Sequence, residues 1–186
     1  MTQMSRFSIH DELTAPEGSL PVLKAASTGA GQVPNLLGVL AGSPAVLRAF
    51  TRFRSELRAA TLPPPTAERI ALAVAQHYRS EPGLALHGRT ARRAGLGIDE
   101  VTAARAWRSA DAREAALLTW LKALVESRAR VPVHLHEEAR EAGWTEAQLL
   151  EAMALVALES FTAMVNVAGE VPVDGSAEAA RMKHAA

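Results

Sequence analysis

The sequence predicts an all-α fold of about eight helices, on three observations. Apolar residues make up 48% of the 186 but aromatic ones only 4%, so the core must be built from Ala, Leu and Val. That composition favours closely packed helices over a sheet. Apolar residues recur at helical spacing through most of the chain. Nothing reads as a strand. At this length the simplest organisation is one domain over 1–186, with a helical extension (1–60), a core (61–170) and a tail (171–186).

The elements follow in order. The first fifteen residues lack periodicity and read as an extended arm. Pro16-Glu17 opens a short helix through Val22, Leu23 and Ala26, which Gly29 to Gly31 stop. Val33-Pro34-Asn35 restarts an apolar segment. Ser43 and Pro44 are N-cap and first-turn signals for a helix through Leu57. The run Pro63-Pro64-Pro65 is a rigid break, followed by an Ala-rich helix over 66–78 that is apolar almost all round and therefore central. Residues 79–82 break it, and a helix over 84–94 ends at Gly95. Ile98 to Trp107 forms a short helix with Asp99 and Glu100 in its first turn, where the helix dipole favours acids. Asp111 and Glu114 have capping-box spacing before the next helix. Glu137 to Ala142 is a short helix stopped by Gly143. Thr145 and Gln148 repeat the capping box before a long apolar helix over 149–167, and 176–186 reads as a fraying tail.

Charge and cysteine content exclude several functions. With 20 basic and 20 acidic residues the formal net charge is zero, which argues against a nucleic-acid partner. The chain has no cysteine, so it offers no disulfide, no thiolate nucleophile and no thiolate-ligated metal. Residues 1–16 are polar and lack the apolar stretch of a secretory signal, and the apolar run Ala152 to Leu158 is closed by Glu159. The expectation is a soluble cytoplasmic protein without a membrane span.

The chemistry-bearing residues centre on Glu68 to Gly95. Glu68 opens the Ala-rich helix and His87 lies one helix later. Antiparallel helices joined by a short turn bring such positions together. A buried carboxylate beside an imidazole is a workable acid–base pair. The plainer alternative is that Glu68 caps its own helix and His87 is a hydrogen-bonded core histidine. Ser80 with His87 lacks the strained elbow of a nucleophilic serine. His134 and His136 fall on different helix faces, and no H-E-x-x-H metal motif or cofactor signature is present. Arg89, Arg92 and Arg93 read as a solvated basic turn, with Arg79 and Arg89 as the candidate cations for an anionic ligand. Trp107, Trp120 and Trp144 read as core or interface anchors. The large apolar faces of 66–78 and 149–167 leave room for an intersubunit contact.

Five segments together resemble a known family: Thr14 to Gly18, VPNLLGVLAGSPAVLRAF (Val33 to Phe50), Glu68 to Val74, Leu84 to His87 leading to Ala94-Gly95-Leu96, and LLEAMALVALESFTAMVN (Leu149 to Asn166). Their order over about 150 residues resembles the carboxymuconolactone decarboxylase superfamily, in its alkylhydroperoxidase D-like, peroxidase-related branch. The resemblance implies an all-helical homo-oligomer, a dimer, trimer or hexamer. It implies an active site of a glutamate, two cysteines and a histidine, which fall on Glu68, Ser80, Gly83 and His87. Ser80 and Gly83 thus stand where the relatives keep redox cysteines, and Val167 replaces a further histidine. A serine hydroxyl cannot follow the thiol oxidation ladder and glycine has no side chain, so thiol peroxidase activity is excluded for this chain.

Two functions are consistent with these residues. One is a peroxidase-related scaffold that keeps a pocket for a small-molecule ligand, or a vestigial site. The other is a cofactor-free decarboxylase or isomerase that uses Glu68 and His87 on a small carboxylic acid or lactone.

Overall fold

The computed structural model describes residues 5–26, 33–127 and 130–175. Within them lie nine α-helices, one 3-10 turn and no strand. The helices are α1 (Leu20–Ala26), α2 (Asn35–Leu40), α3 (Pro44–Arg58), α4 (Pro64–His77), α5 (Glu81–Arg93), α6 (Ile98–Arg105), α7 (Ala112–Glu126), α8 (Val133–Glu141) and α9 (Glu146–Gly169). The 3-10 turn, Glu17–Ser19, leads into α1 behind Pro16. The stop expected at Gly29 to Gly31 and the tail over 176–186 lie outside the described residues.

Two helices hold the rest together. α4 buries every residue from Arg69 to Ala75, as an all-round apolar helix must. α9 joins two cores: one side closes a cluster with Ile70, Leu117, Leu121 and Trp144, and the other covers the N-terminal helices through Leu23, Leu47, Phe50 and Leu158. A third cluster, Leu72, Ala91, Leu96 and Ala104, fixes α5 and α6 to the far face of α4. Each fully buried Leu or Ile contributes about 1.5–3 kcal/mol, so α4 alone anchors much of the fold. By length and hydropathy α9 is apolar enough to cross a membrane, which the sequence reading did not anticipate because Glu159 divides its apolar run. In the fold it packs against α3, α4, α5 and α7.

Several boundaries differ from expectation, each for a local reason. α4 starts at Pro64, inside the proline run, because the first helical turn needs no N–H donors. α5 starts at Glu81 rather than at Leu84. Only two residues, Arg79 and Ser80, separate its first turn from the C-cap Tyr78, and Arg79 makes the reversal at φ 57°. α8 starts four residues early, at Val133, directly behind Pro132. At α7 only half of the capping box forms. Asp111 accepts from the N–H groups of Arg113 and Glu114, but the Glu114 side chain turns inward, accepting from the Thr66 hydroxyl at 2.7 Å and pairing with Arg69 at 3.8 Å. Glu100, expected merely to suit a helix dipole, instead bonds Arg69 at 3.0 Å. The Thr145–Gln148 capping box forms in full. Trp144 is fully buried and donates from Nε1 to the Arg113 carbonyl.

Candidate functional site

The two-residue turn between α4 and α5 lays these helices side by side, and this brings Glu68 and His87 together. His87 Nδ1 lies 3.0 Å from Glu68 Oε2. The same carboxylate oxygen accepts the Thr90 hydroxyl at 2.6 Å, from one turn further along α5. Glu68 therefore does not cap its own helix. It is held by α5, and it holds the imidazole in return.

The other imidazole nitrogen is also taken. His87 Nε2 lies 3.2 Å from Glu159 Oε2, on α9. A neutral imidazole has one donor and one acceptor nitrogen, so only the imidazolium satisfies two flanking carboxylates. Burial works against that charge, but hydrogen bonds and Coulomb attraction from Glu159 and Glu68 outweigh it and raise the His87 pKa to about 9. All three side chains are mostly buried, at 12%, 22% and 15% exposure for His87, Glu68 and Glu159.

His87 and Glu159 form part of the wall of a cleft of about 110 Å³, between α2, α3, α5, α9 and the segment that follows α9. Glu68 is not part of that wall and stands behind His87. Arg54 of α3 and Asn166 of α9 share the cleft with apolar Phe50 and Leu158. Burial lowers the Arg54 pKa, Arg58 adds to the effect, and the attraction of Glu159 opposes it.

Ser80 and Gly83 do not join this triad. Ser80 is the buried N-cap of α5; its oxygen accepts from the Gly83 N–H and from Asn166 Nδ2, both at 3.3 Å. Among the described residues no hydrogen bond links it to His87, so it has no base to make it a nucleophile. A Cβ built on Gly83 would lie 3.0 Å from Ala75 Cβ and 3.1 Å from Ser80 Oγ. Glycine at 83 is what lets α5 press against α4 here. Of the expected cations, Arg89 reaches the cleft from an exposed position, whereas Arg79 borders a second, open groove. His136 packs edge-on against Trp120.

Sequence reasoning missed Glu159 and Arg54. A signal for the first was present: Glu159 is the only charged residue between Glu151 and Glu170 in an otherwise apolar helix. Arg54 carried one too: it shares the helical stripe of Leu47, Phe50 and Leu57, while Arg48, Arg52 and Arg58 fall on other faces.

Residues 44–126 match the family model named for carboxymuconolactone decarboxylase. The stretch from α3 through α7 is thus the part of the chain that is similar to this family. The match includes Glu68, Ser80, Gly83 and His87, while Glu159 and Asn166 lie beyond it. No curated protein matches. Among solved structures the chain is similar to an uncharacterized peroxidase-related protein from Ralstonia eutropha JMP134, with an alkylhydroperoxidase AhpD core, at TM-score 0.78 and 19% identity over 94% of this chain and 95% of that one. An uncharacterized peroxidase-related protein from Silicibacter sp. TM1040 gives 0.77 and 19% over 93% of each chain. The debrominase Bmp8 gives 0.70 and 20% over 90% of this chain and 91% of that one. These likenesses establish a shared AhpD-like helical fold.

Proposed function

We propose that the chain is a cofactor-free acid–base enzyme acting on a small carboxylic acid or lactone, and that it has no thiol peroxidase activity. The supporting observation is that His87 and Glu159 share one wall of a cleft, with Glu68 holding the ring from behind. Glu159 is the carboxylate that reaches the cleft and serves as the base. It takes a proton from a carbon beside a carbonyl, and the electron pair stays on the substrate as an enolate. The His87 imidazolium stabilises the negative charge, and the proton returns to a different carbon. Glu68 fixes the ring through Nδ1, and Thr90 fixes Glu68. This reading moves the base from Glu68 to Glu159 and leaves Glu68 as a positioning residue. Absence of cysteine supports the second half of the proposal.

The likeness to Bmp8, whose cysteine-to-alanine variant is described in complex with 2,3,4-tribromopyrrole, supports a fold able to take a small organic molecule. The experiment is turnover of 4-carboxymuconolactone and a panel of small lactones and carboxylic acids, with deuterium incorporation from D2O as a second readout. Activity is expected to fall by about 10²–10⁴-fold in Glu159→Gln. Dithiol-dependent consumption of peroxide, or neither turnover nor deuterium incorporation across the panel, overturns the proposal.

We also propose that the protein is a cytoplasmic homo-oligomer. Leu150, Met153, Met164 and Val167 are exposed on α9, with exposures from 37% to 61%, at spacings that put them on one stripe. Sedimentation at micromolar concentration is expected to show an oligomer that Met164→Glu weakens; a wild-type monomer defeats this part.

A further inference from the structure

The cleft contains a cation with no counter-ion bonded to it. Arg54 is half-buried on α3, one turn after Phe50, whose ring packs at 6.0 Å on Phe161. Among the described residues Arg54 makes no hydrogen bond and no ion pair. Glu159 attracts it across the cleft but is bonded to His87, and Arg58 repels it. A half-buried guanidinium with five free donors is costly unless something planar and anionic occupies its fork.

A second observation calls for a hydrogen-bond donor on the same occupant. Asn166 is 4% exposed and borders the same cleft. Its Nδ2 donates to Ser80, but its Oδ1 is buried without a partner. An orphaned buried acceptor is uncommon in a folded protein and fits an occupant that carries a donor such as a hydroxyl beside its carboxylate, as 3-hydroxybutyrate does. Arg89 is the weaker candidate, because it is exposed to solvent.

We propose that Arg54 is the substrate-recognition residue of this cleft, binding the carboxylate of a small organic acid. The reacting carbon then lies toward Glu159 and His87. This rests on the acid–base reading for the site but narrows the substrate from acids or lactones in general to molecules with a free carboxylate. It also identifies which of the chain's arginines selects them.

The test is calorimetric titration of the full chain with 3-hydroxybutyrate and with its uncharged amide. Wild type is expected to prefer the acid by at least about tenfold. Arg54→Gln is expected to abolish that preference. Arg54→Lys keeps the charge, loses the fork and is expected to retain only part of it, so it carries the test if the glutamine variant does not fold. Equal binding of acid and amide to wild type, no binding of the acid at millimolar concentration, or an undiminished preference in both variants overturns the assignment. Glu159→Gln separates the two proposals. It removes the competing carboxylate, so acid binding is expected to hold or tighten even as turnover is lost. Turnover that depends on Glu159 with no acid preference defeats Arg54 alone. An Arg54-dependent preference with no turnover defeats only the acid–base reading.

Discussion

Glu159 Oε2 stands 3.2 Å from His87 Nε2, although 72 residues separate them in the chain. With Glu68 at 3.0 Å on the other nitrogen, one imidazole is gripped by carboxylates from two different helices. Everything the site can do depends on that grip, and it can be measured directly.

The charge state of His87 follows from its two partners. Its pKa of about 9 is expected to fall toward the ordinary 6.5 when either carboxylate is made neutral, and further in Glu159→Gln than in Glu68→Gln. The titration is followed by the imidazole resonances in NMR. A His87 pKa unchanged in both variants removes the basis for an imidazolium at neutral pH.

The same shift sets a pH dependence of stability. The folded pKa, about 9, exceeds the unfolded value near 6.5, so the folded state binds the proton more tightly. The stabilisation is complete below pH 6.5 and is lost as pH rises through 9. Urea midpoints are expected to fall between those two values in wild type and to change much less in His87→Gln.

Arg69 is expected to be the costliest single charge to remove. It is buried on α4, bonds Glu100 at 3.0 Å and reaches Glu114 at 3.8 Å. Glu114 Oε2 already lacks a partner, so Arg69→Met leaves two mostly buried carboxylates without their shared cation. The expected loss is about 2–4 kcal/mol, discounted slightly because Glu100 is 21% exposed. Chemical denaturation measures it.

The α4–α5 junction has the geometry for a disulfide that the sequence lacks. A Cβ at position 83 would lie 3.5 Å from Ser80 Cβ, at the short end of the disulfide range. The double variant Ser80→Cys, Gly83→Cys is expected to lose both free thiols in air, as read by thiol titration before and after reduction. Ala75 Cβ, 3.0 Å from the new atom, is the obstacle, and adding Ala75→Gly is expected to raise the yield.

The legible parts of the sequence were those that local chemistry decides. The Ala-rich run around Ile70 reads as a central helix because its pattern permits nothing else. The Thr145–Gln148 capping box reads as a helix start because both halves of it are local. Position by position, Glu68 and His87 could be paired because a short helical turn links them. What escaped depends on partners far along the chain. Glu159 faces His87 only because α9 packs on both α4 and α5. Glu100 and Glu114 look like helix-dipole and capping residues until Arg69 is placed between them. Helix starts at Pro64, Glu81 and Val133 were placed late because proline was read as a break, when in the first turn it costs no hydrogen bond.

Asn35 closes the far side of the cleft. Its backbone N–H donates to Asp174 at 2.8 Å and its Nδ2 to the Pro172 carbonyl at 3.0 Å, so a residue from the start of α2 buckles down the stretch beyond α9. A chain leaving the ribosome therefore exposes Glu68 and His87 well before the residues that complete their pocket. Until α9 docks, His87 has one carboxylate partner and Arg54 faces open water. The order of synthesis delays assembly of the site until nearly all of the described chain has emerged, so a nascent chain arrested before residue 159 is a folding substrate without a pocket.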